Sequence, residues 1–223
     1  MTEPVRVVLT RARGGNEELA RRLRASGLEL VECPLIRIEP IDGPPVATTG
    51  YDWLVLTSRV AAELVFARLE GSLPQVAVIG PGTAEAVRSH GVEPAVVAHR
   101  STQEGLLAEL PTAAGRVLFA GAEDARTFLP TELGADVLTL YRTVSKEVSE
   151  FPRGDLVVLA SASAARALAA LAVAVPCVTI GPVTSAEARA RGLDVVEEAE
   201  THDVDGLAAA VKLAASRIAS SRS

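Results

Sequence analysis

The chain has 223 residues, enough for one large domain or two of about 100 residues each. Apolar residues make up 48% and aromatic residues only 3%, so the core has to be built from Val, Leu, Ile and Ala, a composition suited to parallel sheets covered by helices. A net charge of −6 argues against a nucleic-acid partner, whose binding surface is basic, yet it leaves room for an anionic small ligand held by backbone amides and a few arginines.

Residues 1–13 contain no apolar segment of signal-peptide type, and the longest apolar run, Ala167 to Val175, is too short to span a bilayer. Cys33 and Cys177 have neither disulfide-framework nor metal-ligand spacing, and both lie in apolar runs. They read as small buried hydrophobes in a reducing compartment. The expectation is a cytoplasmic protein with no membrane contact.

In chain order, Val5 to Leu9 is a buried strand and Thr10 to Gly15, with Arg11 and Arg13, is the loop at its carboxyl end. Asn16 is placed to cap a helix over Glu17 to Ala25, and Gly27 ends it. Leu28 to Val31 is a second strand. Pro34 to Pro40 then alternates apolar and charged residues, the period of a half-exposed strand. Asp42 to Tyr51, rich in Gly, Pro and Thr, is a linker loop.

A new unit opens with the strand Trp53 to Leu56, followed by Thr57 and Ser58 as the cap of a helix near Val60 to Leu69. The strand Val76 to Ile79 is broken by Gly80-Pro81, and Gly82 relaxes the turn. Thr83 stands at the predicted N-cap of a helix over Ala84 to His90, which Gly91 closes. Ala95 to Ala98 is a strand, Ser101 to Leu110 holds a short helix, and Val117 to Ala120 is a strand. A helix over Ala125 to Leu133 and a strand over Val137 to Leu140 complete the unit. Tyr141 to Glu147 alternates again. The remainder reads as strand Leu156 to Leu159, a Ser161 cap, helix Ala164 to Ala172, a strand near Val178, strand Val195 to Glu198, helix Gly206 to Ala214 and a polar, frayed tail Ser216 to Ser223.

The chain repeats itself. V-I-G-P-G-T at Val78 to Thr83 returns as T-I-G-P-V-T at Thr179 to Thr184, 101 positions on, and Arg88, Gly91, Ala98, Gly105 and Leu106 match Arg189, Gly192, Ala199, Gly206 and Leu207 at the same spacing. Asp52 to Arg59 resembles Asp155 to Ala162, and Arg6 to Thr10 resembles Arg116 to Ala120. A period this long means a duplicated domain rather than a solenoid. The partners of the strands near Val117 and Val137 lie at the start of the chain. One copy is therefore built from both termini, and the other is inserted as a block.

The expected fold is α/β, with two similar open parallel-sheet domains, one inserted in the other, joined by a two-stranded linker with a cleft between them. The expected boundaries are residues 1–35 and 147–223 for domain 1, 36–40 and 141–146 for the linker, and 41–140 for domain 2. In open parallel sheets ligands sit beyond the carboxyl ends of the strands, where helix N-termini offer free amides to anions. The loops there hold Arg11, Thr57, Ser58, Gly82, Thr83, Ser161, Ser163 and Thr184. Each has a bland reading as a cap or a solvated side chain. Tyr141 lies at the crossing between domains, where a cleft residue belongs. His90, His99 and His202 fall at predicted element ends without partners and read as surface residues. No phosphate-binding lysine loop, dinucleotide fingerprint, nucleophile elbow or metal pair is present. A chain so short of acid, base and nucleophile suits a reaction that a held substrate largely performs itself.

The strand followed by T-S at Leu54 to Ser58, I-G-P-G-T-A at Ile79 to Ala84, G-L-L at Gly105 to Leu107, Y-R-T at Tyr141 to Thr143 and I-G-P-V-T at Ile180 to Thr184 together resemble the uroporphyrinogen-III synthase family. The resemblance runs over nearly the whole chain and includes the inserted-domain order. It implies a cyclising lyase that closes hydroxymethylbilane, a linear tetrapyrrole with eight carboxylates, by losing water and inverting ring D through a spiro intermediate. It implies no cofactor or metal and is compatible with transient hand-over of substrate from hydroxymethylbilane synthase; a monomer is expected because no long apolar stripe is left over once both sheets are covered. By position Tyr141 matches the family's cleft tyrosine, Thr83 and Thr184 its symmetric threonines, Ser58 and Ser161 its post-strand serines, and Arg11 an arginine of the first loop. Val60 stands where the family often has Asn, and Ala160 where it often has Thr. A reading of a different class is a non-catalytic anion- or tetrapyrrole-binding regulatory protein, motivated by the few ionisable groups in the predicted cleft.

Overall fold

The computed structural model describes residues 3–12 and 14–222; Arg13, named above in the first loop, lies outside them. The chain divides into two compact units, unit 1 from Met1–Ile38 and Val144–Ser223 and unit 2 from Glu39–Thr143. In chain order, unit 1 opens with β1 (Arg6–Leu9), α1 (Glu17–Arg24), β2 (Glu29–Glu32) and the start of β3 (Ile36–Pro40). Unit 2 holds β4 (Val46–Ala47), β5 (Trp53–Leu56), α2 (Arg59–Phe66), β6 (Leu69–Glu70), β7 (Gln75–Val78), α3 (Pro81–Ser89), β8 (Val96–Val97), α4 (Gln103–Glu109), β9 (Val117–Ala122), α5 (Phe128–Glu132) and most of β10 (Asp136–Ser145). Unit 1 resumes with β11 (Leu156–Leu159), α6 (Ala162–Ala170), β12 (Cys177–Thr179), α7 (Pro182–Ala190), β13 (Val195–Glu198) and α8 (Val204–Ser221).

The sheet of unit 1 runs β13-β12-β11-β1-β2, with each neighbouring pair parallel. The larger sheet runs β3-β10-β9-β5-β7-β8. The β10, β9, β5, β7 and β8 part is parallel and has the same order as unit 1 once β11 is matched to β5 and β1 to β9. The topology thus carries the duplication and its permutation. β3 stands beside β10. Ile41 N donates to Leu140 O at 2.8 Å and Lys146 N to Leu35 O at 2.8 Å, so partner numbers fall as the chain rises, which is the antiparallel sense.

Position in the sheet follows from composition. W-L-V-L in β5 and L-V-V-L in β11 are apolar without alternation, and all eight residues are buried, as central strands covered on both faces require. In unit 1, Val7, Leu9, Leu156 and Val158 point to the side of α1 and α8, while Val8, Val157, Leu159 and Cys177 point to α6. Each unit is a three-layer stack, with helices pairing as α1 with α8, α6 with α7, α2 with α3, and α4 with α5.

Several expectations change. The strand Val137 to Leu140 and the alternating segment Tyr141 to Glu147 are one ten-residue strand, β10, because nothing between them breaks an extended backbone. The supposed linker loop Asp42 to Tyr51 contains β4, which pairs with the unforeseen β6. The frayed tail is helical: α8 runs to Ser221, since its alanines favour helix and Leu207, Val211 and Ala215 bury one face. The predicted helix over Ala125 to Leu133 shrinks to Phe128–Glu132.

Both cysteines are buried and free. Burial, and then Asp194, push the Cys177 thiol up to about 12. Burial raises Cys33 as well, against the pull of Lys146. Both thiols stay protonated at pH 8, and a thiol is a poor nucleophile. A maleimide at pH 8 is expected to label neither in the native protein and both in denaturant; rapid labelling of the native chain contradicts this burial.

Candidate functional site

In each sheet the chain leaves a central strand towards one edge, then returns to the other side of that strand. The reversal falls between β5 and β9 in unit 2 and between β1 and β11 in unit 1. Loops diverge at such a point, and the crevice beyond the strand ends is where open α/β sheets bind ligands.

In unit 2 the crevice is bounded by Thr57 and Ser58 after β5 and by the end of β9. Ser58 is a true N-cap: its backbone is extended and its Oγ accepts from Ala61 N at 3.0 Å. The same Oγ lies 2.9 Å from the Tyr141 hydroxyl. Tyr141 reaches this point because the β9–β10 register slips between Thr139 and Tyr141, and a bulge re-aims the side chains that follow it. The ring is buried, 7% exposed. Burial is the main influence on the phenol and raises its pKa above the ordinary 10; Asp124 raises it further, and the Ser58 hydrogen bond pulls it down. Ser58 already accepts the Ala61 amide proton, and its own proton is free to turn onto the tyrosine oxygen. The phenol proton is then available to a third group.

Thr83 and Thr184 are not caps. The caps are Gly80 and Gly181, and α3 and α7 begin at Pro81 and Pro182, which puts each threonine in the third helical position. Proline favours the first turn because its φ suits a helix and it has no N–H to leave unbonded. Both threonines are nearly buried, at 5% and 4% exposure. The cap glycines are dictated by close approach rather than by φ: a Cβ on Gly80 would lie 2.3 Å from Ser101 Oγ, and one on Gly181 2.6 Å from the His202 ring. Gly82 is the second residue of α3, and a Cβ there would lie 3.8 Å from Cδ of Arg59.

Arg59 was missed in the sequence. It opens α2 next to Ser58, at the positive end of the helix dipole where a cation is disfavoured, and it has no ion-pair partner among the described residues. A signal was present: its repeat partner is Ala162, so the charge is peculiar to one copy.

The matching crevice of unit 1 lies between the ends of β1 and β11. Ser161 caps α6 through Ala164 N at 3.2 Å, and its Oγ lies 3.0 Å from Ser163 Oγ. Arg11 donates from Nη1 to Gly15 O at 3.2 Å. Asn16 holds the cap position of α1 but makes no side-chain cap bond, contrary to expectation. Thr57 immediately precedes the α2 cap and does not itself cap. Two histidines have partners after all: His90 meets Glu63 at 2.9 Å and stacks on Phe66, and His99 meets Glu109 at 2.8 Å.

The two crevices are not equivalent chemically. L-Y-R-T at Leu140 to Thr143 matches L-I-R-I at Leu35 to Ile38, so Tyr141 corresponds to Ile36. One copy pairs its cap serine with a phenol, the other with Ser163. A surface recess of about 390 Å³ in unit 2, lined by Pro44, Pro45, Tyr51, Arg68 and Asp136, includes neither Ser58 nor Tyr141 and lies along the start of β10. Among the described residues no three or more His, Cys, Asp or Glu side chains group to hold a metal, and no helix is long and apolar enough to cross a membrane.

A matched pair of variants separates cap from site. Ser58→Ala and Ser161→Ala should each lose about 0.5–2 kcal/mol from the lost N-cap. Only Ser58→Ala should move the ultraviolet titration of a tyrosine to higher pH, because only there is a bond that lowers a phenol pKa removed. A shift in Ser161→Ala, or none in Ser58→Ala, contradicts the assignment.

The profile of the family described as uroporphyrinogen-III synthase HemD matches residues 17–209. The uroporphyrinogen-III synthase of Synechococcus elongatus is 28% identical over 175 residues, which is 70% of this chain and 66% of that protein. A crystal structure of a mutant uroporphyrinogen III synthase from Thermus thermophilus superposes with a TM-score of 0.64 at 18% identity, over 98% of this chain and 100% of that one, a likeness of fold.

Proposed function

The chain belongs to the uroporphyrinogen-III synthase family, and we propose that it closes hydroxymethylbilane to uroporphyrinogen III, with loss of water and inversion of ring D. The observation that carries the reading is the pair of half-buried Ser58 and buried Tyr141 at the switch point of one copy alone. The substrate's ring A hydroxymethyl group loses its hydroxyl as water, leaving an azafulvene cation. Ring D attacks that carbon through its substituted position to give the spiro intermediate, the bond from that position to the carbon bridging rings C and D breaks, ring D recloses inverted through its free α-carbon, and the proton lost there makes up for the one spent on the departing hydroxyl. The departing hydroxyl needs one proton. Tyr141 Oη supplies it, while the Ser58 hydroxyl turns to donate to the oxygen that is left. That bond stabilises the developing phenolate, the form that burial opposes.

The rest of the work is restraint. A flexible chain closes without inversion when unguided, so holding it in the right fold is the larger part of catalysis. Helix N-termini suit the substrate's carboxylates. We assign Thr83, Gly82 and Arg59 in unit 2, and Arg11, Ser161, Ser163 and Thr184 in unit 1, to this holding role, with Thr57 beside the cap serine. The protein acts as a cytoplasmic monomer that takes its substrate by transient hand-over from hydroxymethylbilane synthase and uses no cofactor.

Incubation with fresh hydroxymethylbilane should give the type III isomer; type I alone removes the proposal. Tyr141→Phe should lower turnover about 100-fold, the usual size of general-acid assistance, with KM little changed. Wild-type turnover in that variant removes the tyrosine from the reaction. The pH profile follows from the raised phenol pKa. Tyr141 keeps its proton below its ordinary value near 10, so no alkaline loss of kcat should set in before about pH 10. A fall beginning near pH 8 identifies a different acid.

A further inference from the structure

The sheet order β10-β9-β5 places Tyr141 and Ser58 on opposite sides of β9. A side chain that starts on β10 and meets the hydroxyl after β5 has to cross the carboxyl end of β9. The chain turns at that end: Ala125 N donates to Ala122 O at 3.2 Å, with Glu123 and Asp124 at the tip. The turn is tied to the tyrosine itself. Ala122 is the register partner of Tyr141, and Glu123 N donates to Tyr141 O at 2.8 Å. Asp124 is thus carried on a short turn bonded to the backbone of the residue whose phenol crosses the same strand end. Burial first, and then the Asp124 carboxylate, raise that phenol's pKa. Glu123, the other acid of the turn, acts instead on Arg142. The carboxylate belongs to one copy only. Arg116 to Ala120 matches Arg6 to Thr10, 110 positions apart, and at the same spacing Asp124 falls on Gly14. The crevice with Ile36 in place of Tyr141 has no carboxylate at the matching position.

For a general acid alone such a neighbour is a handicap, since a fixed negative charge opposes the phenolate that forms when Tyr141 gives up its proton. The same step creates a positive charge. The bond between the ring A methylene carbon and its oxygen breaks, the electron pair leaves with the oxygen, the phenol proton joins it to make water, and the methylene and its pyrrole are left as a cation. We infer that Asp124 is the counter-charge for this azafulvene cation, held beside the tyrosine so that the positive charge develops within reach of its carboxylate. The inference rests on the proposed function and adds a residue to it. Asp124 is exposed in the loop after β9, so no part of unit 2 has to move for a substrate to meet it. A charge fixed in place before the reaction costs no reorganisation when the cation forms.

The test compares wild type, Asp124→Asn, Asp124→Glu and Glu123→Gln by steady-state turnover of fresh hydroxymethylbilane and by ultraviolet titration of tyrosine. Asp124→Asn should lower kcat about 10-fold with KM little changed, the loss of one through-space charge at a partly screened site. The same variant should move the titration of one of the two tyrosines to lower pH, because a charge that raised it is gone. The direction of the kcat change decides. A carboxylate that merely holds Tyr141 back would, once removed, leave a stronger acid and a kcat equal to or above wild type, and that result overturns the inference. An unmoved tyrosine titration in Asp124→Asn also counts against it, since the carboxylate then does not face the phenol. Asp124→Glu keeps the charge and should recover most of the turnover; a loss as deep as that of the asparagine variant contradicts the assignment. Glu123→Gln should turn over like wild type, and an equal fall there transfers the effect from Asp124 to the turn as a whole. The isomer assay on wild type is scored separately: type I product alone removes the reaction, whereas type III product with undiminished kcat in Asp124→Asn removes Asp124 alone.

Discussion

Two strands buried on both faces set the terms for this molecule. β5 and β11 are apolar at every position, so each needs helices above and below and a parallel neighbour on either side. A chain can meet that demand only by running outwards to one edge, then returning to the middle to build the other. The return creates a point where neighbouring loops part. Thr57, Ser58, Arg59, Arg11, Ser161 and Ser163 follow strands that flank such a point, Gly82, Thr83 and Thr184 follow the next strands out, β7 and β12, and the bulge of β10 brings in Tyr141.

Duplication gave two crevices on one plan, and the differences between them are the informative part. The cap serines are kept in both copies because a helix start needs its amide bonded wherever it stands. The groups around them have diverged. Unit 2 has Tyr141 where unit 1 has Ile36, and Arg59 where unit 1 has Ala162. Unit 1 has an unbonded Asn16 where the matching helix of unit 2 is sealed by Gln103. The cap serines and glycines that both copies retain are needed by the fold of each, and Tyr141 and Arg59, carried by one copy alone, are where the two crevices part chemically. The retained glycines make the same point: Gly80 and Gly181 stay glycine because Ser101 and His202, themselves repeat partners, leave no room for a Cβ.

Much of this was legible in the amino-acid order. The strands, the 101-residue spacing and the permuted domain order follow from apolar runs and Gly-Pro punctuation, which act over a few residues and need no tertiary partner. The caps Ser58 and Ser161 were legible for the same reason. Thr83 and Thr184 lie three positions past the caps because the preference of proline for the first helical turn outweighs that of threonine for the cap. The helix α8 runs past its expected end at Ala214 because no Gly or Pro stops it before Ser221, although the polar tail buries little that would signal a helix.

The sequence by itself determined the duplicated parallel architecture and which loops gather at the strand ends, since periodicity and turn chemistry are local. Only the tertiary structure decided that Ser58 and Tyr141, 83 positions apart, share a hydrogen bond, and that Asn16 is buried with nothing to bond to. Those facts depend on a slipped register between β9 and β10 and on the exchange of Gln103 for Val204 on a neighbouring helix. Neither leaves a mark within a few residues of the side chain it controls.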